Sequence, residues 1–266
     1  AGTWAVFAAS YTEQEYCFPE IKPFIAIEND EWKDFETSRE VVEGSILDFS
    51  FLNHKPAGKY GFLKNVNGEL VPEQSEEPIR FYGTNICLHA LFMSHEQADL
   101  LAKRLAALGY NSVRIHHYDG LIVDADQDGN FKINEEKLDQ LNYLIAALKK
   151  QGIYLITDLY NSRKPVKAKF QKSCPEIEGD RDYKCAAIFY PEVREDLKEF
   201  ARLVWGRVNP YTGLTWAQDP AFLAFGVINE DTLILNIEQI GLCGDSLKKR
   251  FYRDFEAYCN EKKIMV

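Results

Sequence analysis

From Ile79 onward, short apolar runs alternate with longer segments in which apolar residues recur every three or four positions. The runs predict strands at 79–83, 112–115, 153–157 and 222–228. The periodic segments predict helices at 94–108, 135–150, 195–208 and 247–262. Apolar strands that alternate with amphipathic helices indicate a parallel sheet covered by helices.

Strand and helix therefore alternate four times, and residues 264–266 are typical of the start of a fifth strand. A closed (β/α)₈ TIM barrel needs eight such units and about 250 residues. We expect an α/β fold that is the N-terminal portion of such a barrel, truncated after the fourth unit. An open sheet is the alternative, although no GxGxxG or GxxxxGK[ST] motif follows a predicted strand.

Local signals mark the ends of the first two helices. Ser94 and Gln97 predict a capping box, and Gly109 and Gly152 follow the helices at their C-terminal ends. The predicted apolar stripe of the first helix is Leu100, Leu101, Leu105 and Leu108. That of the second is Leu138, Leu141, Leu144, Ile145 and Leu148.

The N-terminal part has a different pattern. Residues 1–45 show short alternating runs and predict a small β-rich appendage, and the barrel portion occupies 46–266. Within the barrel portion, Asn67-Gly68 separates 62–64 from 69–71 and predicts a leading hairpin.

Composition narrows the classes of partner. Lys and Arg total 31 against 41 Asp and Glu, a formal net charge of −10, which argues against nucleic acid as a partner. The acidic charge fits a neutral ligand, a cation or plain solubility equally well. No apolar run approaches the length of a membrane span. The six cysteines form no CxxC pair; Cys174 and Cys185 either staple a loop or are free thiols. We expect a secreted or periplasmic location, and the oligomeric state stays open.

The candidate chemistry lies where the strands end, since working residues of parallel barrels occupy the C-terminal ends of the strands. Asn229 and Glu230 directly follow the fourth strand. Glycoside hydrolysis needs a carboxyl group that protonates the leaving oxygen, and a neighbouring amide can hold a sugar hydroxyl. A polar strand end or a helix cap would give the same dipeptide, but the other strand ends are polar too.

Those other ends add further candidates. Arg114 and His116 alternate on one side of their strand, with His117 on the other. Arg114 either orients carboxylates or pairs with Asp158 for structural reasons. The further candidate substrate contacts are Asn85, Tyr118, Asp158, Tyr160 and Trp216. The long segment 161–190 predicts a lid, a subsite wall or a solvated loop.

One loop matches a calcium-binding pattern. Its candidate ligands are Asp124, Asp126, Asp128, Asn130 and Glu135, with Gly129 at the sixth position of the twelve. No amphipathic helix precedes the loop, so a solvated acidic loop is the alternative to a structural calcium site.

Four stretches in this order resemble clan A glycoside hydrolases, in particular cellulase-like, family 5-like bacterial enzymes. They are Arg80–Asn85 (RFYGTN), Val113–Asp119 (VRIHHYD), Leu155–Tyr160 (LITDLY) and Gly226–Glu230 (GVINE). Segments at 44–51, 56–61, 209–213 and 219–221 also fit one such group, and the resemblance spans roughly 43–235.

The resemblance implies a retaining double displacement on β-glycosidic bonds of an oligo- or polysaccharide, with no cofactor required. Glu230 would be the general acid/base and Asn229 would contact the sugar 2-hydroxyl. Arg114 would steady the nucleophile, and His116 or His117 would line the donor subsite. The family's nucleophile is a Glu after the seventh strand, which this chain does not reach, so we expect this fragment alone to be inactive.

Three other functions fit parts of the pattern. The first is a non-catalytic carbohydrate-binding or scaffold protein with a partial barrel. The second is a metal-dependent enzyme on an open sheet that uses Asp158 and Glu230, although no third metal ligand lies at helical spacing from His116 and His117. The third is a calcium-stabilised module centred on 124–135. The glycan, its linkage and the endo or exo mode of attack stay open.

Overall fold

The computed structural model describes residues 30, 41–165, 172–230 and 240–265. The chain divides into two compact units, 1–40 and 41–266. The predicted β-rich appendage therefore lies almost wholly outside the described residues, as does Val266, the last residue of the predicted fifth strand. Residues 41–45, at its end, form turns rather than strands.

The described part of the second unit contains eight strands and five α-helices. The strands are β1 (Leu63–Val66), β2 (Glu69–Pro72), β3 (Gly83–Cys87), β4 (Ser112–His116), β5 (Val123–Ala125), β6 (Phe131–Ile133), β7 (Tyr154–Tyr160) and β8 (Phe222–Ile228). The helices are α1 (His95–Ala107), α2 (Glu135–Lys150), α3 (Asp180–Phe189), α4 (Pro191–Val204) and α5 (Asp245–Lys262). Short 3₁₀ helices lie at Ser50–Leu52, Leu88–Leu91 and Trp216–Gln218.

The central sheet has the order β3-β4-β7-β8, and each neighbouring pair is parallel. α1 connects β3 to β4, α2 connects β4 to β7, and α3 with α4 connects β7 to β8. Sequential parallel strands with helical crossovers are the repeating unit of a (β/α) barrel. The predicted α/β fold with four βα units is confirmed.

The predicted leading hairpin is also confirmed. β1 and β2 pair antiparallel, and Asn67 and Gly68 both have positive φ, at 53° and 92°. Two consecutive residues in the left-handed region form the type of turn whose twist matches that of the flanking strands. A second antiparallel hairpin, β5-β6, follows β4.

Helix α2 follows its sequence pattern closely. All five predicted stripe residues are at most 2% exposed. In α1 the capping box is present, because the Ser94 hydroxyl accepts from the Gln97 N–H while the Gln97 side chain accepts from the Ser94 N–H. The predicted α1 stripe is partly wrong, since Leu100 and Leu108 are exposed. The core-facing side of α1 instead consists of Ala98, Ala102, Leu105, Ala106 and Ala107.

Several predicted boundaries shift. The first barrel strand begins at Gly83 rather than Ile79, because Gly83–Cys87 are the residues that pair with β4. The predicted loop 161–190 contains α3, and α4 starts at Pro191, whose fixed φ suits the first turn of a helix. Ile264 and Met265 are in no strand.

Two further findings concern the cysteines and the possibility of a membrane span. Cys174, one of the two cysteines considered for a loop staple, is a free thiol. Within the described ranges, no helix is both long and apolar enough to cross a membrane.

Candidate active site

Asp158, near the C-terminal end of β7, is the centre of a polar network. Its Oδ2 atom accepts from Arg114 Nε at 3.0 Å and from Arg114 Nη2 at 2.7 Å. His116 Nδ1 lies 2.9 Å from the same oxygen. Arg114 and His116 therefore share one side of β4, as their alternation predicts. The side chain of Asp158 is only 7% exposed, so these partners stabilise a carboxylate that burial would otherwise penalise.

Gly226 makes room for this carboxylate. It lies opposite Asp158 in the β7-β8 register, and a Cβ atom at this position would lie 2.3 Å from Asp158 Oδ1. No side chain larger than hydrogen fits there unless Asp158 moves. This role of Gly226 was not predicted from the sequence, although an isolated glycine inside a strand often marks a close approach of this kind.

Asn229 is oriented by Arg114. The Arg114 Nη2 atom donates to Asn229 Oδ1 at 2.8 Å. A guanidinium group can only donate, so the amide oxygen of Asn229 must face Arg114 and its Nδ2 must face away. That Nδ2 is buried and has no hydrogen-bond partner among the described residues. A buried donor without a partner is suited to an acceptor on a ligand.

Glu230 follows Asn229 in the left-handed region, with φ at 55°, and is exposed. The main chain of Asn229, the residue before it, is fixed by two hydrogen bonds. Asn229 N–H donates to the Tyr160 carbonyl at 2.9 Å, and Lys184 Nζ donates to the Asn229 carbonyl at 3.1 Å. A non-glycine residue in this region is uncommon, and such residues concentrate at functional sites. Lys184, on α3, carried no signal in the sequence.

His117 also lies in the left-handed region, with φ at 54°. Its ring is 4.1 Å from that of His116, and its Nδ1 is 3.2 Å from Ser162 Oγ. Burial lowers the pKa of His117, and the charges of His116 and Lys184 act in the same direction against the opposing carboxylates of Asp119 and Glu230. The neutral ring is therefore favoured.

Asp119 fixes the start of the segment that follows β7. Its fully buried Oδ2 accepts three main-chain N–H groups, from Asn161 at 2.9 Å, Ser162 at 3.1 Å and Arg163 at 2.9 Å. Arg163 is in turn buried against Asp196, with Nη2 to Oδ2 at 2.9 Å. These interactions hold Ser162 beside His117.

Three predicted substrate contacts are wrong. Tyr118, Tyr160 and Trp216 are at most 1% exposed, so they offer a sugar no accessible ring face. Their polar atoms have internal partners: Trp205 Nε1 donates to the Tyr118 hydroxyl, Tyr160 donates to the Arg163 carbonyl, and Trp216 Nε1 donates to Asn142. Asn85 lies within β3, opposite Arg114, rather than after the strand, and it is exposed.

The candidate calcium ligands lie on and beside the β5-β6 hairpin. Asp126 uses Oδ1 to accept the N–H groups of Asp128 and Asn130, which closes the turn. Glu135 starts α2 and pairs with Arg207 at 2.8 Å. Asp124 lies in β5 and is exposed. In the part of the chain that the structure describes, no three His, Cys, Asp or Glu side chains are placed to share a metal ion. The geometry therefore does not support calcium, which stays a prediction.

Similarity to known proteins identifies the family of this chain. The model of the Cellulase family (glycosyl hydrolase family 5) matches residues 72–209, a little over half of the chain. The chain belongs to this family. The family 5 resemblance found in the sequence is confirmed, whereas its bacterial part stays a prediction.

Two similar proteins, one found by sequence and one by structure, cover part of this family 5 chain. It is 25% identical over 190 residues to Mannan endo-1,4-beta-mannosidase 5 of Arabidopsis thaliana, covering 68% of this chain and 43% of that protein. The crystal structure of the endo-1,4-beta-mannanase from Rhizomucor miehei matches with a TM-score of 0.50 and 21% identity, covering 64% of this chain and 48% of that one. The structural likeness shows the fold. The chain spans less than half the length of both relatives.

Proposed function

We propose that this chain supplies the acid/base side of a retaining glycoside hydrolase whose substrate is a β-1,4-linked mannan. Family 5 membership supports hydrolysis of a glycosidic bond, and the mannosidase name of the Arabidopsis relative supports mannan. The observation that carries the proposal is the Nδ2 of Asn229, which has no partner among the described residues and which Arg114 orients beside the exposed Glu230.

In the first step, Glu230 donates its proton to the glycosidic oxygen as that bond breaks and the nucleophilic carboxylate forms a covalent bond to the sugar. In the second step, the resulting carboxylate takes a proton from the water that releases the sugar from the enzyme. The Nδ2 of Asn229 donates to the hydroxyl next to the reacting carbon. Arg114 acts as a positioning residue, because it holds both Asn229 and Asp158.

A retaining mechanism also needs a nucleophilic carboxylate about 5–5.5 Å from the acid/base. We assign no residue of this chain to that role. The chain covers 43% of the Arabidopsis mannosidase, so we expect the nucleophile from the part of the family barrel that these residues do not span.

The test uses the product of the whole gene and measures sugar release from galactomannan and from aryl β-mannosides. We expect Glu230→Gln to lower kcat on galactomannan by about 10²–10⁴-fold, and by less on aryl substrates whose leaving groups need little protonation. Glu256→Gln, which changes an exposed glutamate of α5, is the matched control and should keep full activity.

Full activity of Glu230→Gln would show that Glu230 is not the acid/base. If the wild-type protein bound mannan but cleaved nothing, the chain would instead be a non-catalytic carbohydrate-binding protein.

A further inference from the structure

A second concave surface lies away from the candidate active site. This outer cleft has a volume of about 630 Å³ and is lined by α1, the C-terminal half of α2, and two segments, Lys55-Pro56 and Tyr211-Thr212. Lys150 ends α2 before β7, and Tyr211 precedes β8, whereas Glu230 follows the C-terminal end of β8. Two of its four segments, the C-terminal half of α2 and Tyr211-Thr212, therefore precede strands of the central sheet, and none of the candidate active-site residues lines the outer cleft.

Two tyrosines give the outer cleft a rigid aromatic corner. The rings of Tyr143 and Tyr211 lie 5.0 Å apart at an interplanar angle of 84°. The Tyr143 hydroxyl donates to Asp99 at 3.0 Å, and that of Tyr211 donates to Asp139 at 2.6 Å. His95 stacks on Tyr143 with ring centroids 3.8 Å apart. Rings held in this way lose little conformational entropy when a ligand binds against them.

The rest of the outer cleft combines charged side chains with small apolar ones. Asp99 supplies carboxylate oxygens, and the exposed Lys55 and Lys150 supply ammonium donors. Lys149 is already paired with Asp219 at 2.8 Å. Sugars present C–H faces that pack on aromatic rings, and hydroxyls that both donate and accept. An open cleft that combines tyrosine rings with a polar rim matches this chemistry better than that of a lipid, which needs an enclosed apolar cavity.

We propose that the outer cleft is a non-catalytic binding site for a polysaccharide chain. The choice of a mannan as the ligand rests on the proposed function, whereas the site itself rests on the geometry of the cleft. A chain bound here is held but not cut, because the cleft contains none of the groups assigned to hydrolysis. Such a site would keep the protein on its polymer between catalytic events.

The test measures binding of mannohexaose to the 266-residue chain by NMR titration, and migration of the chain through galactomannan-containing native gels. In the wild type, we expect the amide signals of Ala146 and Thr212 to shift, separately from any shift at Asn229. Tyr211→Ala should weaken binding at the outer cleft by about tenfold or more. Tyr252→Ala, which changes a tyrosine of α5 that is 70% exposed, is the matched control and should bind as the wild type does.

Wild-type binding by Tyr211→Ala, or the absence of shifts at Ala146 and Thr212 in the wild type, would overturn the proposal. Circular dichroism shows whether Tyr211→Ala folds. If it does not, Ala146→Arg is the second variant, because its side chain fills the same cleft from the surface of α2. Ala146→Arg must then reduce binding. The outcome is independent of hydrolysis. A whole-gene product that cleaves nothing, but binds mannohexaose through Tyr211, would refute the proposed function and leave the outer cleft as a binding site.

Discussion

Replacing Asp196 by alanine would leave the guanidinium group of Arg163 in the core without a counter-charge. The two side chains are 2% and 1% exposed, and Nη2 lies 2.9 Å from Oδ2. The Tyr183 hydroxyl also donates to that carboxylate oxygen. The rings of Phe131 and Phe200 lie 4.6 and 4.7 Å from the guanidinium carbon, so the cation lies among aromatic side chains.

Breaking a buried ion pair by removing one partner costs about 3–5 kcal/mol. The two aromatic rings keep stabilising the cation in the variant, so we expect a loss near the lower end, about 3 kcal/mol. For a chain of this size, a loss of that magnitude lowers Tm by about 6–12 °C. Since Arg163 anchors the segment that carries Ser162, the variant should also loosen the surroundings of His117.

Urea unfolding followed by circular dichroism measures the loss. Glu195→Ala is the control on the same helix, because it breaks the exposed Glu195–Lys198 pair and should cost less than about 1 kcal/mol. The double variant Asp196→Ala with Arg163→Met removes the buried cation as well, and should recover at least half of the loss. A double variant no more stable than Asp196→Ala would refute the reasoning, because the cost could not then come from an unpaired charge.

Two further outcomes follow from the active-site geometry. Gly226→Ala should cost about 1–3 kcal/mol in thermal melts, because its Cβ displaces Asp158. The control Gly241→Ala should cost less, because the described residues leave the space beside Gly241 open; equal losses would contradict this. Because the pKa of His117 is lowered in the fold, the unfolded chain binds more protons, and stability falls as pH drops below 6.5. His117→Asn should flatten that fall between pH 7.5 and pH 5, since asparagine tolerates the left-handed backbone. An unchanged slope of the free energy of unfolding against pH would exclude His117 as the source of the fall.

The family's fold was predictable from the sequence because local periodicity carries it. The bounds of α2 and β8 agree with the prediction, and the predicted Asn67-Gly68 turn joins β1 to β2. The boundaries that shifted lie where tertiary pairing decides the extent of an element. β3, for example, starts where β4 can pair with it.

The candidate site was likewise only partly predictable from the sequence. Alternation along β4 was enough to place Arg114 and His116 on one side. The sequence could not separate exposed from buried aromatic residues near the strand ends, so Tyr160 and Trp216 were wrongly counted as substrate contacts. Tyr160 stacks on Tyr183 of α3, and Trp216 contacts Tyr118 and Asn142 of α2; none of these partners is a neighbour in the sequence.

By itself, the sequence determined the βα repeat, the helix caps, the hairpin turn and the position of Glu230 after an apolar strand. Each of these depends on residues within a few positions of one another. Only the tertiary structure decided which polar groups meet. The contacts of Arg114 with Asp158 and Asn229 join residues 44 and 115 positions apart. The place of Gly226 beneath Asp158 and the four segments of the outer cleft are also set by strand register and helix packing, which act across the fold rather than along the chain.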